Sequence, residues 1–173
     1  MSIWLACLLL IAAANPPRRR AELPRNAAVV AAGAGLTLVA LIGLGVAGDT
    51  ILDALDISAP TFRVAVGMVL LVRGVIDLFT FPSDAGEEGT GWRAAIAPVF
   101  FPVLFRPEIA LVAVSVAVDG GLGQMALGAS VAMLLVVGSV VWVGRFDRAL
   151  SRGVSVVLIV LAVDRLVDGV LAL

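Results

Sequence analysis

The sequence predicts an all-α membrane protein of six transmembrane helices, arranged as two inverted three-helix repeats with the first and fourth spans broken at X-Pro steps. Three observations carry that expectation. The composition is strongly apolar, the apolar residues fall into six stretches, and the two halves of the chain echo one another at an offset of 91 residues.

Of 173 residues, 61% are hydrophobic and only 14% charged, more apolar surface than a water-soluble domain of this length can bury. The expected solvent is therefore the lipid bilayer. The net charge of −1 says little, because the charges sit in short clusters. There is no His, Tyr or Lys and a single Cys, Cys7. A Ser-His-Asp triad, a Cys-x-x-Cys redox pair and a Cys/His zinc site are thereby excluded within this chain. No enzyme, cofactor, metal or nucleic-acid partner is expected. Cys7 itself lies in an apolar run and reads as a small buried thiol.

The apolar stretches cover about residues 2–17, 27–47, 61–80, 94–118, 121–143 and 153–173. Crossing ~30 Å of hydrocarbon takes roughly 20 residues, which all but the first supply. The first lacks a basic n-region and a small-x-small cleavage site, so it is expected as a span and not as a leader. Small residues in the second stretch (Gly33, Gly35, Gly43, Gly45) and the fifth (Gly123, Ala126, Gly128, Ser130) are expected to let helices approach closely.

Charge asymmetry orients the spans. Residues 15–26 carry Arg18, Arg19, Arg20 and Arg25, residues 81–93 carry Arg93, and residues 144–152 carry Arg145, Arg148 and Arg152. The two remaining connections hold Asp49, Asp53, Asp56 and Asp119 but no Arg. Positive residues stay on the cytoplasmic side, which places those three loops inside and both termini outside a bacterial plasma (inner) membrane.

The offset of 91 brings Asn15 onto Arg106, Pro16 onto Pro107, Arg73 onto Asp164 and Asp77 onto Asp168. It divides the chain into a repeat at 1–80, a cytoplasmic linker at 81–93 and a repeat at 94–173. Three spans per half reverse the second half in the membrane, the plan of many secondary transporters. In each half an X-Pro step frees backbone carbonyls, because Pro has no N–H and disfavours helix in the residue before it. A simple helix end at Asn15 and a repaired kink at Pro107 are the alternatives to a binding role. Asn15, Pro16, Arg106, Pro107 and Glu108 form the candidate solute site.

Ionisable residues inside a membrane cost at least ~2.5 kcal/mol each and tend to be paired. Arg73 and Asp77 share one helix face, as do Asp164 and Asp168. Arg73 is expected to pair with Asp164 across the helix interface, and Arg63 to snorkel to headgroups.

These features resemble the MarC family of six-span bacterial membrane proteins, within the LysE-like transporter superfamily. Ile57-Ser58-Ala59-Pro60-Thr61-Phe62-Arg63-Val64-Ala65-Val66-Gly67-Met68-Val69-Leu70-Leu71 is similar to that family's third-span start, Asn15-Pro16 to its first-span Asn-Pro, and Ala97-Pro98-Val99-Phe100-Phe101-Pro102 to the segment before its fourth-span break. The resemblance implies transport of a small solute, such as a small neutral amino acid, at the two broken spans. It also marks two departures. Arg106-Pro107-Glu108 stands where the family has Gly-Pro-Gly, and an Arg-rich loop replaces its Leu-Pro-Ile-Phe segment. A small organic anion is then the better-matched solute if Arg106 faces the cavity. The competing expectation is a non-transporting accessory subunit, as a homo-oligomer or within a larger membrane complex.

Overall fold

The structure is a computed structural model that describes residues 2–24, 26–80, 95–141 and 147–173. Among these the secondary structure is helical throughout: α1 (Ile3–Ala14), α2 (Pro16–Glu22), α3 (Ala27–Ala54), α4 (Ala59–Phe79), the kinked segment α5 (Ala95–Leu104), α6 (Pro107–Gly120), α7 (Leu122–Val141) and α8 (Asp147–Leu171). The linker 81–93 and its Arg93, and Arg25 and Arg145, lie outside the described residues.

Two helices, α3 and α7, are each long and apolar enough to cross a membrane, and α5 with α6 makes a third such unit if the pair, bent by 68°, is taken as one. Their outer surfaces agree with a lipid solvent. Val39 on α3, Leu134 on α7, Val160 on α8 and Val72 on α4 all stand exposed on the periphery. Contiguous apolar surface of this kind belongs against lipid or another protein.

Several boundaries differ from the sequence expectation. α3 runs to Ala54 and carries Asp49 and Asp53 on its last turns, leaving a connection of only four residues before α4. Polar side chains at a helix end meet water without breaking the backbone ladder, so charge alone does not mark the stop. The turn comes at Asp56, whose φ of 53° lets Ile57 N–H return to the Leu52 carbonyl. Residues 15–26 are likewise not an irregular loop. α2 occupies most of that stretch, and Arg18 and Arg19 are buried.

Proline sets the breaks. Asn15 adopts a left-handed conformation (φ 44°, ψ 66°), ending α1, and Pro16 opens α2 at a position where its missing N–H costs nothing. In α5, Ala97 before Pro98 and Phe101 before Pro102 are extended, as is Arg106 before Pro107. α1, with 12 residues, is only ~18 Å long, and α6, with 14, ~21 Å. Both are shorter than the ~30 Å of hydrocarbon a single span must cross, and both lie in the core, where Leu9, Leu10, Ile109, Val112 and Ala113 are buried.

Around them the longer helices pack in pairs. α4 lies along α8, α3 against α5, α6 and α7, and α1 against α6 and α7. The α4–α8 seam is antiparallel and built on glycine: a Cβ on Gly67 would lie 2.7 Å from Leu166 Cγ and 3.0 Å from the Ala162 carbonyl, and one on Gly74 2.7 Å from Ile159 Cγ1. Gly169 completes it against Pro60 and Val64. Of the glycines expected to mediate packing, Gly33 meets Val99, Gly45 meets Met125 and Gly128 meets Leu10, whereas Gly35, Gly43 and Gly123 have open space.

Replacing Gly67 with Val tests the seam. The added bulk must displace backbone on α8, so a loss of ~1–3 kcal/mol is expected, whereas Gly35→Val should leave stability within about 0.5 kcal/mol. Thermal unfolding of the purified protein in detergent distinguishes them.

Candidate functional site

Ion pairs tie together the helices that leave the two breaks. α2 leaves the first and α6 leaves the second, and their first turns, together with the end of α4, carry charged side chains that converge in one buried cluster. Each residue arrives there for a local reason. Arg18, Arg19 and Glu22 share a face of α2 because three- and four-residue spacings do so on a helix, and Arg73 and Asp77 share a face of α4 in the same way. Arg106 and Glu108 flank the proline that starts α6.

The ion pairs form a continuous chain. Asp77 lies 3.3 Å from Arg18 and 2.9 Å from Arg73. Arg73 reaches Glu108 at 3.3 Å, and Glu108 lies 3.8 Å from Arg19. Arg19 is 3.0 Å from Glu22, which in turn accepts a 2.7 Å hydrogen bond from Arg106. Arg18 also donates to the carbonyls of Asp77 and Thr80, tying α2 to the end of α4. Arg19 and Asp77 are almost wholly enclosed, and Glu108 nearly so. Among the described residues, four guanidiniums face three carboxylates, one positive charge in excess. Burying that many ions is costly, and only mutual pairing offsets it.

Beside the cluster, Asn15 is fully buried and its Nδ2 donates to Ser155 Oγ at 3.3 Å, joining the first break to α8. Ser139 on α7 donates its hydroxyl to the Val136 carbonyl at 2.7 Å and lies 3.4 Å from the Pro16 carbonyl.

A second cluster lies at the other end of α6. Asp119 receives Arg63 on Oδ1 and Arg165 on Oδ2, at 2.8 and 2.7 Å, joining α4, α6 and α8. From Glu108 to Asp119 is eleven residues, or ~16 Å of helix. The stretch between them is apolar apart from Ser115 and is largely buried. α6 is thus fastened to α4 by ion pairs at both ends.

Of the residues expected at the site, Arg106 and Glu108 enter the cluster together with Arg73 and Asp77, whereas Asn15 and Pro16 contact Ser155 and Ser139 at the start of α2 and Pro107 is exposed. Asp164 and Asp168 are both exposed on α8. The expected Arg73–Asp164 pair is replaced by Arg73 with Asp77 and Glu108. Register is the reason. Gly67 faces Ala162 and Leu166, so Asp164 is level with Gly67, six residues or ~9 Å from Arg73 along α4. Arg63 is paired with Asp119.

Sequence reasoning missed Glu22, the shared partner of Arg19 and Arg106, and the roles of Asp119 and Arg165. For Glu22 the signal was available in its spacing from Arg18 and Arg19. Among the described residues no group of three or more His, Cys, Asp or Glu side chains is placed to hold a metal ion. Compared with known proteins, the chain matches no family model, no curated protein and no solved structure.

Proposed function

We propose that this chain is a six-span membrane transporter of a small anionic solute, working by alternating access between two inverted halves, with the solute held between the helices that leave the two breaks. The observation that carries the reading is that α2, which leaves the Asn15-Pro16 break, is tied through Arg19 and Glu22 to Glu108 and Arg106 at the start of α6, in a cluster that carries one excess positive charge among the described residues. Broken half-helices buried in protein are the usual way a membrane fold exposes backbone and charge to a solute.

Packing supports the inverted halves. Under the offset of 91, α1 and α2 correspond to α5 and α6, α3 to α7, and α4 to α8. Counterpart helices pack in counterpart ways: α1 on α7 as α5 on α3, and α2 on α8 as α6 on α4. The MarC resemblance agrees with this plan. Its Gly-Pro-Gly becomes Arg106-Pro107-Glu108 here, exchanging close backbone approach for a guanidinium and so favouring an anion over an uncharged body. The two ionic clusters would serve as gates on either side of the apolar stretch of α6, the larger facing the cytoplasm.

One observation favours a second reading. Glu22 already occupies Arg106 at 2.7 Å, so the chain's own carboxylates fill the guanidiniums. A non-transporting subunit that keeps the fold and packs in a larger membrane complex, or as a homo-oligomer, accounts for that.

Liposomes containing the purified protein separate the two. Uptake of small organic anions is expected, falling at least tenfold in Arg106→Gln, a change of ~1.4 kcal/mol. Absence of flux for both amino acids and organic anions, with a second membrane protein co-purifying reproducibly, supports the accessory subunit instead.

A further inference from the structure

We propose that the break between α1 and α2 is a site for a dehydrated monovalent alkali cation, held by oxygen atoms of Ala12, Ala13, Asn15 and Ser151. The argument begins with missing donors. In a regular helix the N–H groups of residues 16 and 17 would bond the carbonyls of Ala12 and Ala13, but Pro16 and Pro17 have none. The Arg18 N–H, next in line for Ala14, bonds the Asn15 carbonyl instead at 3.0 Å. Three successive carbonyls at the end of α1 therefore lose their helical donors, in residues no more than 4% exposed.

The side chains around them add acceptors. Ser155 Oγ donates its only hydrogen to the Ser151 carbonyl at 2.9 Å, so it can only accept from Asn15, which fixes Nδ2 as the atom facing it. Asn15 Oδ1 is then turned the other way, enclosed and without a hydrogen-bond partner. Ser151 Oγ, also fully buried and one turn from Ser155 on α8, has no partner either. The negative end of the α1 dipole points at the same place. Buried oxygens without a donor suit a hard cation, and the nearby guanidinium nitrogens of Arg18 and Arg19 are drawn to Asp77, Glu22 and Glu108. The oxygens are uncharged, which suits a single positive charge and not a divalent ion.

Two things oppose the cation: the excess positive charge of the neighbouring cluster, and water, which could donate to the same oxygens. An anion on the guanidiniums relieves the first, so binding is measured in chloride salts. The cation site shares Asn15 with the solute site proposed above, but its test needs no transport.

The unfolding midpoint of the detergent-purified protein is followed in NaCl, KCl and choline chloride at equal ionic strength. A ligand that binds only the folded state stabilises by RT ln(1 + [L]/Kd), so the midpoint should climb with Na⁺ or K⁺ and stay flat in choline. Ser151→Ala removes an oxygen that bonds nothing in the protein, so the fold should survive while the cation concentration needed rises severalfold. Asn15→Asp, which keeps the shape and adds a charge, should lower it. Equal midpoints in all three salts would mean that water fills the break and would overturn the proposal. So would a Ser151→Ala response identical to wild type. Failure of flux with a retained cation response would instead count against the solute reading alone.

Discussion

Asp77→Asn is expected to destabilise the folded protein by ~3–5 kcal/mol, the scale observed when one partner of a buried ion pair is removed. Asp77 is the acceptor shared by Arg18 and Arg73, with side-chain exposures of 2%, 7% and 22% respectively. Asn keeps the shape but not the charge, leaving two guanidiniums facing each other and raising the cluster's excess from one positive charge to two. Arg73 retains Glu108 and reaches partly toward solvent, which moderates its share of the loss. Arg18 is the more exposed to consequence, since its remaining partners are carbonyls, Thr80 and a distant Glu22 at 4.0 Å. Changing Arg18 to Gln in the same molecule should recover part of the stability. Chemical unfolding of the single and double variants in detergent measures this directly. Additive losses would mean that the two side chains do not act on one another.

The contrast between what the sequence made readable and what it did not follows from the range of each interaction. Proline acts on its own neighbours, so the breaks at Asn15 and Arg106 were legible, as was the i, i+4 pairing of Arg73 with Asp77. Apolar length was legible for α3 and α7 for the same reason. The partner of Arg73 across helices was not, because it depends on where Gly67, Gly74 and Gly169 let α4 and α8 slide to rest, and nothing local announces that register. Arg18 and Arg19 followed the charge rule for loops in the sequence yet are buried, because a run of arginine looks alike at an interface and in a paired cluster. What distinguishes the two is Glu108, 86 residues beyond Glu22 in the chain. Asp119 was legible as a charge between apolar stretches, but only the packing of α6 between α4 and α8 supplies its two arginines.

Asp119→Asn should loosen the far end of α6 while leaving the cluster at Glu108 intact. Asp119 bridges Arg63 on α4 and Arg165 on α8, and Arg165 is enclosed, its side chain 4% exposed. Neutralising it leaves two guanidiniums converging on an amide that can accept on one oxygen only. The lowest-energy response is for Arg63, the more exposed of the two, to move outward and for α6 to separate from α4 at that end. Gly121, at φ 85°, ends α6 two residues later and gives the chain a place to turn. The movement can be read at Ser115, one turn before Asp119 and 1% exposed. In a protein carrying Cys7→Ala and Ser115→Cys, thiol labelling should be slow. Adding Asp119→Asn should accelerate it at least about tenfold, each decade corresponding to ~1.4 kcal/mol of closed-state bias lost. Asp119→Glu, which keeps the charge on a longer arm, should label at close to the slow rate. If Asn and Glu variants label alike, the arginines hold α6 through packing and not through the shared carboxylate, and the ion cluster is no gate.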